Sequence, residues 1–152
     1  VADCDGLYLP GGYPELHADR LAHNDCFKEG VRAFHQQNKP IFGECGGHMV
    51  LGKSLIDKDN HRHAMIGLLD LETDFHHRKL HLGYRKATLL ADCPIGEKGH
   101  MFHAHEFHYS RTIRAEGKEL FTCENASGTQ LSNSGLINGS CFASYLHLID
   151  LA

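Results

Sequence analysis

Apolar residues come in short runs in the first third of the chain, alternating between strand-like and helix-like spacing. Gly6-Leu7-Tyr8-Leu9 reads as a short buried strand, and Pro10-Gly11-Gly12-Tyr13-Pro14 forces a turn after it. A short helix is predicted from Glu15 to about Leu21, and a second from Asn24 to Gln37. In the second, Phe27, Val31 and Phe34 recur at helical spacing and Asn24 or Asp25 can cap the first turn. Asn38-Lys39-Pro40 ends it. Ile41-Phe42-Gly43-Glu44 is the next strand, and Gly46 to Leu51 opens another helix. Strand, helix, strand, helix in this order predicts an α/β sheet with parallel strands. Further on, 67–75, 80–90, 101–113 and 120–124 read as strands. The Ser-, Asn- and Gly-rich stretch 125–138 reads as turns, and 140–148 as a last strand leading into a helix.

Composition narrows the class without changing this picture. The 152 residues are 41% hydrophobic and 22% charged, which suits one globular domain and excludes disorder and a disulfide miniprotein. No apolar run approaches the roughly 18–20 residues of a membrane span, and no signal peptide opens the chain. A formal charge of −4 argues against a general nucleic-acid-binding surface. The six cysteines form no C-x-x-C pair and read as reduced, mostly buried thiols of a cytoplasmic protein. The opening Val1-Ala2-Asp3-Cys4-Asp5 lacks an initiator Met and reads as a piece of a longer polypeptide.

The most informative segment is Pro40-Ile41-Phe42-Gly43-Glu44-Cys45-Gly46-Gly47. It has the form of a nucleophile elbow, G-x-C-x-G between an apolar strand and a helix, with sulfur in place of the serine oxygen. Small flanking residues let the chain turn sharply, and the following helix aims its N-terminus at the sulfur. The bland alternative is a buried structural Cys beside a glycine turn. Cys4, Cys26, Cys93, Cys123 and Cys141 have no such setting.

Several motifs, in order along nearly the whole chain, carry a family resemblance. Residues 6–17, Gly-Leu-Tyr-Leu-Pro-Gly-Gly-Tyr-Pro-Glu-Leu-His, and the Glu44-Cys45-Gly46-Gly47 motif resemble the glutaminase region of cobyrinic acid a,c-diamide synthases. So do Leu82-Gly83-Tyr84-Arg85, His105-Glu106-Phe107-His108-Tyr109-Ser110 and Ala143-Ser144-Tyr145-Leu146-His147-Leu148. The Phe-His-Tyr of the fourth motif favours these enzymes over the cobyric acid synthases. Ala104 and Ile149 depart from the family pattern. The resemblance implies a class I glutamine amidotransferase-like (flavodoxin-like) fold: three α/β/α layers around a mostly parallel sheet, here lacking the family's first strand and helix. It implies a domain that hydrolyses glutamine and passes ammonia to an ATP-dependent synthetase domain of the same polypeptide. That domain would use ATP and Mg and bind an acidic tetrapyrrole acceptor, while this one needs no cofactor of its own. The family's nucleophile falls on Cys45 and its histidine on His147. By residue pattern alone, His147 in Tyr145-Leu146-His147-Leu148 is more often a satisfied core or strand-end histidine.

The chemistry assigns further roles. A carboxamide is a poor electrophile, so the site needs a nucleophile, an oxyanion hole and an acid for the departing ammonia. The N–H of Gly46 follows the nucleophile, and the N–H of Gly12 ends the neighbouring strand; these are the expected oxyanion donors. Arg78 and Arg85 are candidates to grip the glutamine α-carboxylate. Arg78 is preferred because it precedes the Gly-Tyr-Arg strand, in the stretch that faces the elbow in related folds. No third catalytic residue is assigned; Asp150 is close to His147 in sequence but lies near the chain end. The fourteen histidines include His100, His103, His105 and His108, but the Cys partners of a structural zinc site are absent at suitable spacing, and no metal is expected. An open sheet edge left by the absent strand would make homodimerisation an expectation. Two other functions compete: a stand-alone thiol hydrolase or peptidase of the same fold, and a non-catalytic docking module.

Overall fold

The structure, a computed structural model, describes residues 3–152; the first two residues of the Val1–Asp5 opening lie outside the described residues. The chain runs β1 (Leu7–Leu9), a 3-10 turn at Pro14–Leu16, α1 (Ala18–Ala22), α2 (Asp25–Gln36), β2 (Ile41–Glu44) and α3 (Gly46–Leu51). Strands then follow: β3 (Ser54–Ile56), β4 (Arg62–Ala64), β5 (Asp70–Asp74), β6 (His81–Leu89), β7 (Met101–His108), β8 (Arg111–Glu116), β9 (Lys118–Asn125), β10 (Ser134–Asn138), β11 (Cys141–Ser144) and β12 (Leu146–Leu151). None of the helices is long and apolar enough to cross a membrane.

The first third folds as its pattern predicts. The side chain of Asn24 accepts a hydrogen bond from the N–H of Phe27 at 3.1 Å and caps α2. Val31 and Phe34 of α2 are buried against Ile41, Cys141 and Ala143 of the sheet. The helix expected from Glu15 to Leu21 is instead the 3-10 turn and α1, because His17 between them leaves helical geometry at φ −129°.

The second half departs from a mostly parallel sheet. The main sheet has eight strands in the order β1-β2-β11-β10-β9-β6-β7-β12, and only β1–β2 and β2–β11 are parallel pairs in it. A smaller sheet, β4-β3-β5-β8, has one parallel pair, β3–β5. The reason is connection length. Parallel neighbours need a crossover of about a dozen residues or more, and the links β9–β10 and β10–β11 are too short for one. Three expected elements change accordingly. Within 125–138, the stretch Ser134–Asn138 becomes an interior strand, with Leu136 opposite Ala143 and Ser134 opposite Phe121. The segment 101–113 breaks at Tyr109-Ser110 and its second part joins the other sheet. The segment 140–148 is two strands, with no helix after them.

One link shapes the whole. β11 and β12 are separated only by Tyr145, yet β10, β9, β6 and β7 lie between them in the sheet. Strands lie about 4.8 Å apart, so a flat sheet would hold β11 and β12 roughly 24 Å apart. Two Cα steps reach at most about 7 Å. The sheet must therefore curl until its far edge returns to its middle. Inside the curl Phe142 of β11 and Leu146 of β12 share a core with Phe102, Ala104, Phe121 and Cys123. That core contains no helical residue, so the curled sheet itself takes the place of the second helical layer. Ser144 pins the corner: it is fully buried, and its hydroxyl accepts from the N–H of Leu146 at 3.1 Å.

Tyr145 points into a third core with Met49, Leu55 and Phe75. Its ring stacks on His108 at 3.8 Å and takes the edge of His48 at 4.9 Å. His48 is 2% exposed and its Nδ1 has no hydrogen-bond partner. Burial pushes its pKa down to about 3. The unfolded chain takes up this proton near pH 6.5. Titration of His48 therefore takes nothing from stability above that pH, and stability is lost as pH falls below it, by about 1.4 kcal/mol per unit. Melting temperature between pH 7.5 and 5 should fall more steeply in the wild type than in His48→Met. Equal slopes would contradict a neutral, unsolvated imidazole at this position.

Candidate active site

Cys45 sits where β2 ends and α3 begins, at φ 49° and ψ −102°. Such a conformation in a non-glycine residue costs roughly 1–3 kcal/mol and persists only where the surroundings fix it. Here they do. The N–H of Cys45 donates to the Ser144 carbonyl at 2.8 Å, and the N–H of Gly47 donates to the Pro10 carbonyl at 3.2 Å. The glycines after the cysteine are dictated by close approach. A Cβ on Gly46 would lie 2.7 Å from the Gly12 nitrogen, and one on Gly47 would run into the Leu9 carbonyl. The first turn of α3 thus lies directly on the end of β1 and the turn after it.

A cavity of about 360 Å³ opens at this point, lined by Gly11, Gly12, Glu15, Cys45, Phe107 and His147 among others. Cys45 is only 6% exposed, and its thiol donates to the Phe107 carbonyl at 3.6 Å. Burial pushes the thiol up to about 11, against the pull of a hydrogen bond from the Gly46 backbone; the carboxylates of Glu44, Glu15 and Glu106 push the same way as burial. In this geometry the sulfur is a neutral thiol turned onto a carbonyl.

Residues 45 and 147 meet because of the curl. β11 pairs with β2 as far as Ser144 opposite Glu44, so the chain passes Cys45 just before it turns at Tyr145 into β12. His147 and Cys45 pack against the same glycine: a Cβ on Gly11 would lie 2.8 Å from Cε1 of His147 and 3.7 Å from Cβ of Cys45. Nδ1 of His147 is 3.0 Å from Oε1 of Glu44. An ionised carboxylate only accepts hydrogen bonds, so Nδ1 carries a proton, and in the neutral imidazole Nε2 is then the acceptor nitrogen. The same Oε1 accepts from the hydroxyl of Tyr8 at 3.0 Å.

The structure therefore gathers Cys45, His147 and Gly12 around one cavity, with Gly46 packed on Gly12. Arg78 lies one step away. It lines the adjoining cavity, which shares Glu15 with the first, and its Nε donates to the carbonyl of Phe75 at 3.3 Å. Burial raises the Glu15 carboxyl, and the Arg78 charge opposes this. Arg85 is elsewhere: its Nε donates to Glu106 at 2.8 Å, behind the Tyr145 layer. Asp150 pairs with His103 at 2.9 Å and not with His147. Glu44, which does contact His147, has no assignment in the sequence reading. The available signals were its place directly before the cysteine and the strand alternation that puts it on the Phe42 face, but its partner depends on the β2–β11 pairing.

Among the described residues, His81, Glu106 and His108 place ligand-type atoms within 4.8 Å of one another. Both ring nitrogens of His108 have protein partners, Ser110 at 3.0 Å and Glu106 at 3.0 Å, and Arg85 holds the other oxygen of Glu106. Burial works to raise the Glu106 carboxyl, and the His108 hydrogen bond and the Arg85 charge outweigh it and hold the carboxyl low. Glu106 and His108 are thus held by protein partners and wall one side of Tyr145, and the His81 ring stacks on His108 at 4.5 Å.

Comparison with known proteins places the chain among glutamine amidotransferase domains. The profile described as CobB/CobQ-like glutamine amidotransferase domain matches residues 1–152. The chain is 49% identical over 150 residues to a hydrogenobyrinate a,c-diamide synthase of Brucella anthropi, covering 97% of this chain and 34% of that protein. A protein of the same name from Rhodobacter capsulatus is 46% identical over 145 residues, 95% of this chain and 33% of that protein. The chain thus spans about a third of the length of these relatives. In fold it is similar to PurLQS from Thermotoga maritima, with a TM-score of 0.65 at 16% identity, covering 97% of this chain and 70% of that one. A second structure, of a glutamine amidotransferase, gives a TM-score of 0.59 at 16% identity, over 94% of this chain and 70% of that one.

The resting thiol gives a direct test. Site-resolved alkylation of the ligand-free protein with iodoacetamide should be slow at Cys45 at pH 7 and still rising beyond pH 9, since the thiolate forms only as pH approaches about 11. A rate at Cys45 that has levelled off by pH 7 would contradict the neutral thiol.

Proposed function

As the chain belongs to the CobB/CobQ-like glutamine amidotransferase family, we propose that it hydrolyses glutamine through a thioester on Cys45 and supplies the ammonia for amidation of a tetrapyrrole carboxylate. The observation that carries this reading is the strained Cys45 elbow sharing the Gly11 wall with His147. A cysteine held this way for structure alone would need no imidazole lining the same cavity.

Glutamine entering the cavity displaces the Cys45 thiol from the Phe107 carbonyl. Nε2 of His147 takes the thiol proton as sulfur attacks the side-chain carbonyl carbon. The oxyanion of the tetrahedral intermediate lies between the N–H groups of Gly46 and Gly12, each such donor contributing roughly 3 kcal/mol to the transition state. The imidazolium returns its proton to the departing nitrogen, ammonia leaves, and a thioester remains. Water, deprotonated by His147, attacks the thioester and releases glutamate and the Cys45 thiol. Glu15 lines both cavities and Arg78 the adjoining one; their opposite charges fit the α-ammonium and α-carboxylate of free glutamine and favour it over a peptide.

The ammonia acceptor belongs to the part of the relatives that this chain does not span. In this reading that part binds ATP with Mg and activates the acceptor carboxylate. The relatives' names support hydrogenobyrinate, the metal-free member of the cobyrinate class, as acceptor.

The test uses the full-length polypeptide. Cys45→Ala should lose glutamine-dependent amidation by at least about 10³-fold and still amidate with free ammonia. Glutamine use by the Ala variant at the wild-type rate would overturn the assignment.

A further inference from the structure

We propose that Glu44 is the positioning residue of the catalytic histidine, with Tyr8 holding its carboxylate in place; this rests on the glutaminase reading above. Glu44 does not itself line the cavity but holds His147, which does. Its side chain is 13% exposed, and a single oxygen, Oε1, receives both Nδ1–H of His147 and the hydroxyl of Tyr8, each at 3.0 Å.

Three strands build this contact. In β2, Phe42 and Glu44 share the face opposite Ile41 and Gly43. β1 pairs with β2 so that Tyr8 lies opposite Phe42, from where its hydroxyl reaches one pleat further to Glu44. Tyr8 is fixed there by a stack: its ring lies on Phe42 at 5.5 Å, and Phe42 lies on Phe142 at 5.2 Å. β11 on the other side ends with Ser144 opposite Glu44, which delivers His147 to the carboxylate. Tyr8 is 53% exposed, on a strand whose one sheet neighbour is β2, so its hydroxyl could instead face water. It is turned inward onto Glu44.

The chemistry asks for such a group. His147 must present Nε2 to the thiol in the correct tautomer, and must then carry a positive charge while ammonia departs. A carboxylate on Nδ1–H secures the first and stabilises the second, and loss of its charge with geometry kept is expensive. Glu44 meets this need from the residue directly before the nucleophile. The negative charge that disfavours the Cys45 thiolate on its own thereby favours the thiolate–imidazolium pair.

In the full-length enzyme, Glu44→Gln keeps an acceptor for Nδ1–H and removes the charge. The ratio of glutamine-dependent to ammonia-dependent amidation rates should fall about 10²- to 10⁴-fold. The loss should lie in kcat, with KM for glutamine within about 3-fold, and the acid limb of kcat/KM should move to lower pH. Glu44→Asp should recover part of the loss. Tyr8→Phe should reduce the same ratio by about 3- to 10-fold and add nothing further when combined with Glu44→Gln, since both act through one oxygen. A Glu44→Gln enzyme with a wild-type ratio and an unmoved acid limb would overturn the proposal. So would a Tyr8→Phe effect that multiplies fully with Glu44→Gln. If Cys45→Ala abolishes glutamine use while Glu44→Gln leaves the ratio at its wild-type value, the role of Glu44 fails and the glutaminase reading stands. If Cys45→Ala is itself without effect, the reading fails first.

Discussion

Two strands joined by one residue, Tyr145, occupy the third and last places of an eight-stranded sheet. Covalent reach alone then forbids a flat sheet. The curl that results brings the start of β12 back to the end of β2, and the geometry of the proposed site follows from it. Ser144 supplies the acceptor that holds the Cys45 backbone, and the residues just after it carry His147. The inside of the curl is filled by Phe102, Phe121, Phe142 and Leu146. Burying such side chains is worth roughly 1.5–3 kcal/mol each, which is the scale needed to hold one strained residue at the rim.

That strain is local and well supported. β1 and the glycine turn after it press against α3 so closely that Gly46 and Gly47 have no room for a side chain. The elbow is therefore held from three sides: by β11 through Ser144, by the β1 turn through Pro10, and by α3 through its own first turn. The site also keeps its sulfur neutral at rest, through burial and surrounding carboxylates. A thiol of this kind is protected from oxidants that react with thiolates, and in the proposed reaction the imidazole and bound substrate make it a nucleophile.

Much of this was legible in the sequence, and the boundary is physical. α2 was readable because Phe27, Val31 and Phe34 share one face and Asn24 caps it. The elbow was readable because close approach leaves a signature in glycine. β10 was not, since Gly135 and its Ser and Asn neighbours look like a turn until β9 and β11 pair with them from both sides. The antiparallel half of the sheet was missed because the strand–helix order at the start says nothing about the short links later on. Placing His147 beside Cys45 required the family resemblance, and Glu44 went unassigned. Its neighbours Tyr8 and His147 lie 36 and 103 residues away, and only strand register brings them to one oxygen.

The central claim is that the curled sheet turns one of six cysteines into a glutamine-specific nucleophile. A diazoketone analogue of glutamine, applied to the full-length enzyme and mapped by peptide mass spectrometry, tests it most directly. Alkylation of Cys45 alone, near one equivalent and blocked by glutamine, is the predicted result. Inactivation that leaves Cys45 unmodified, or label spread over Cys26 and the other thiols without protection by glutamine, would contradict it.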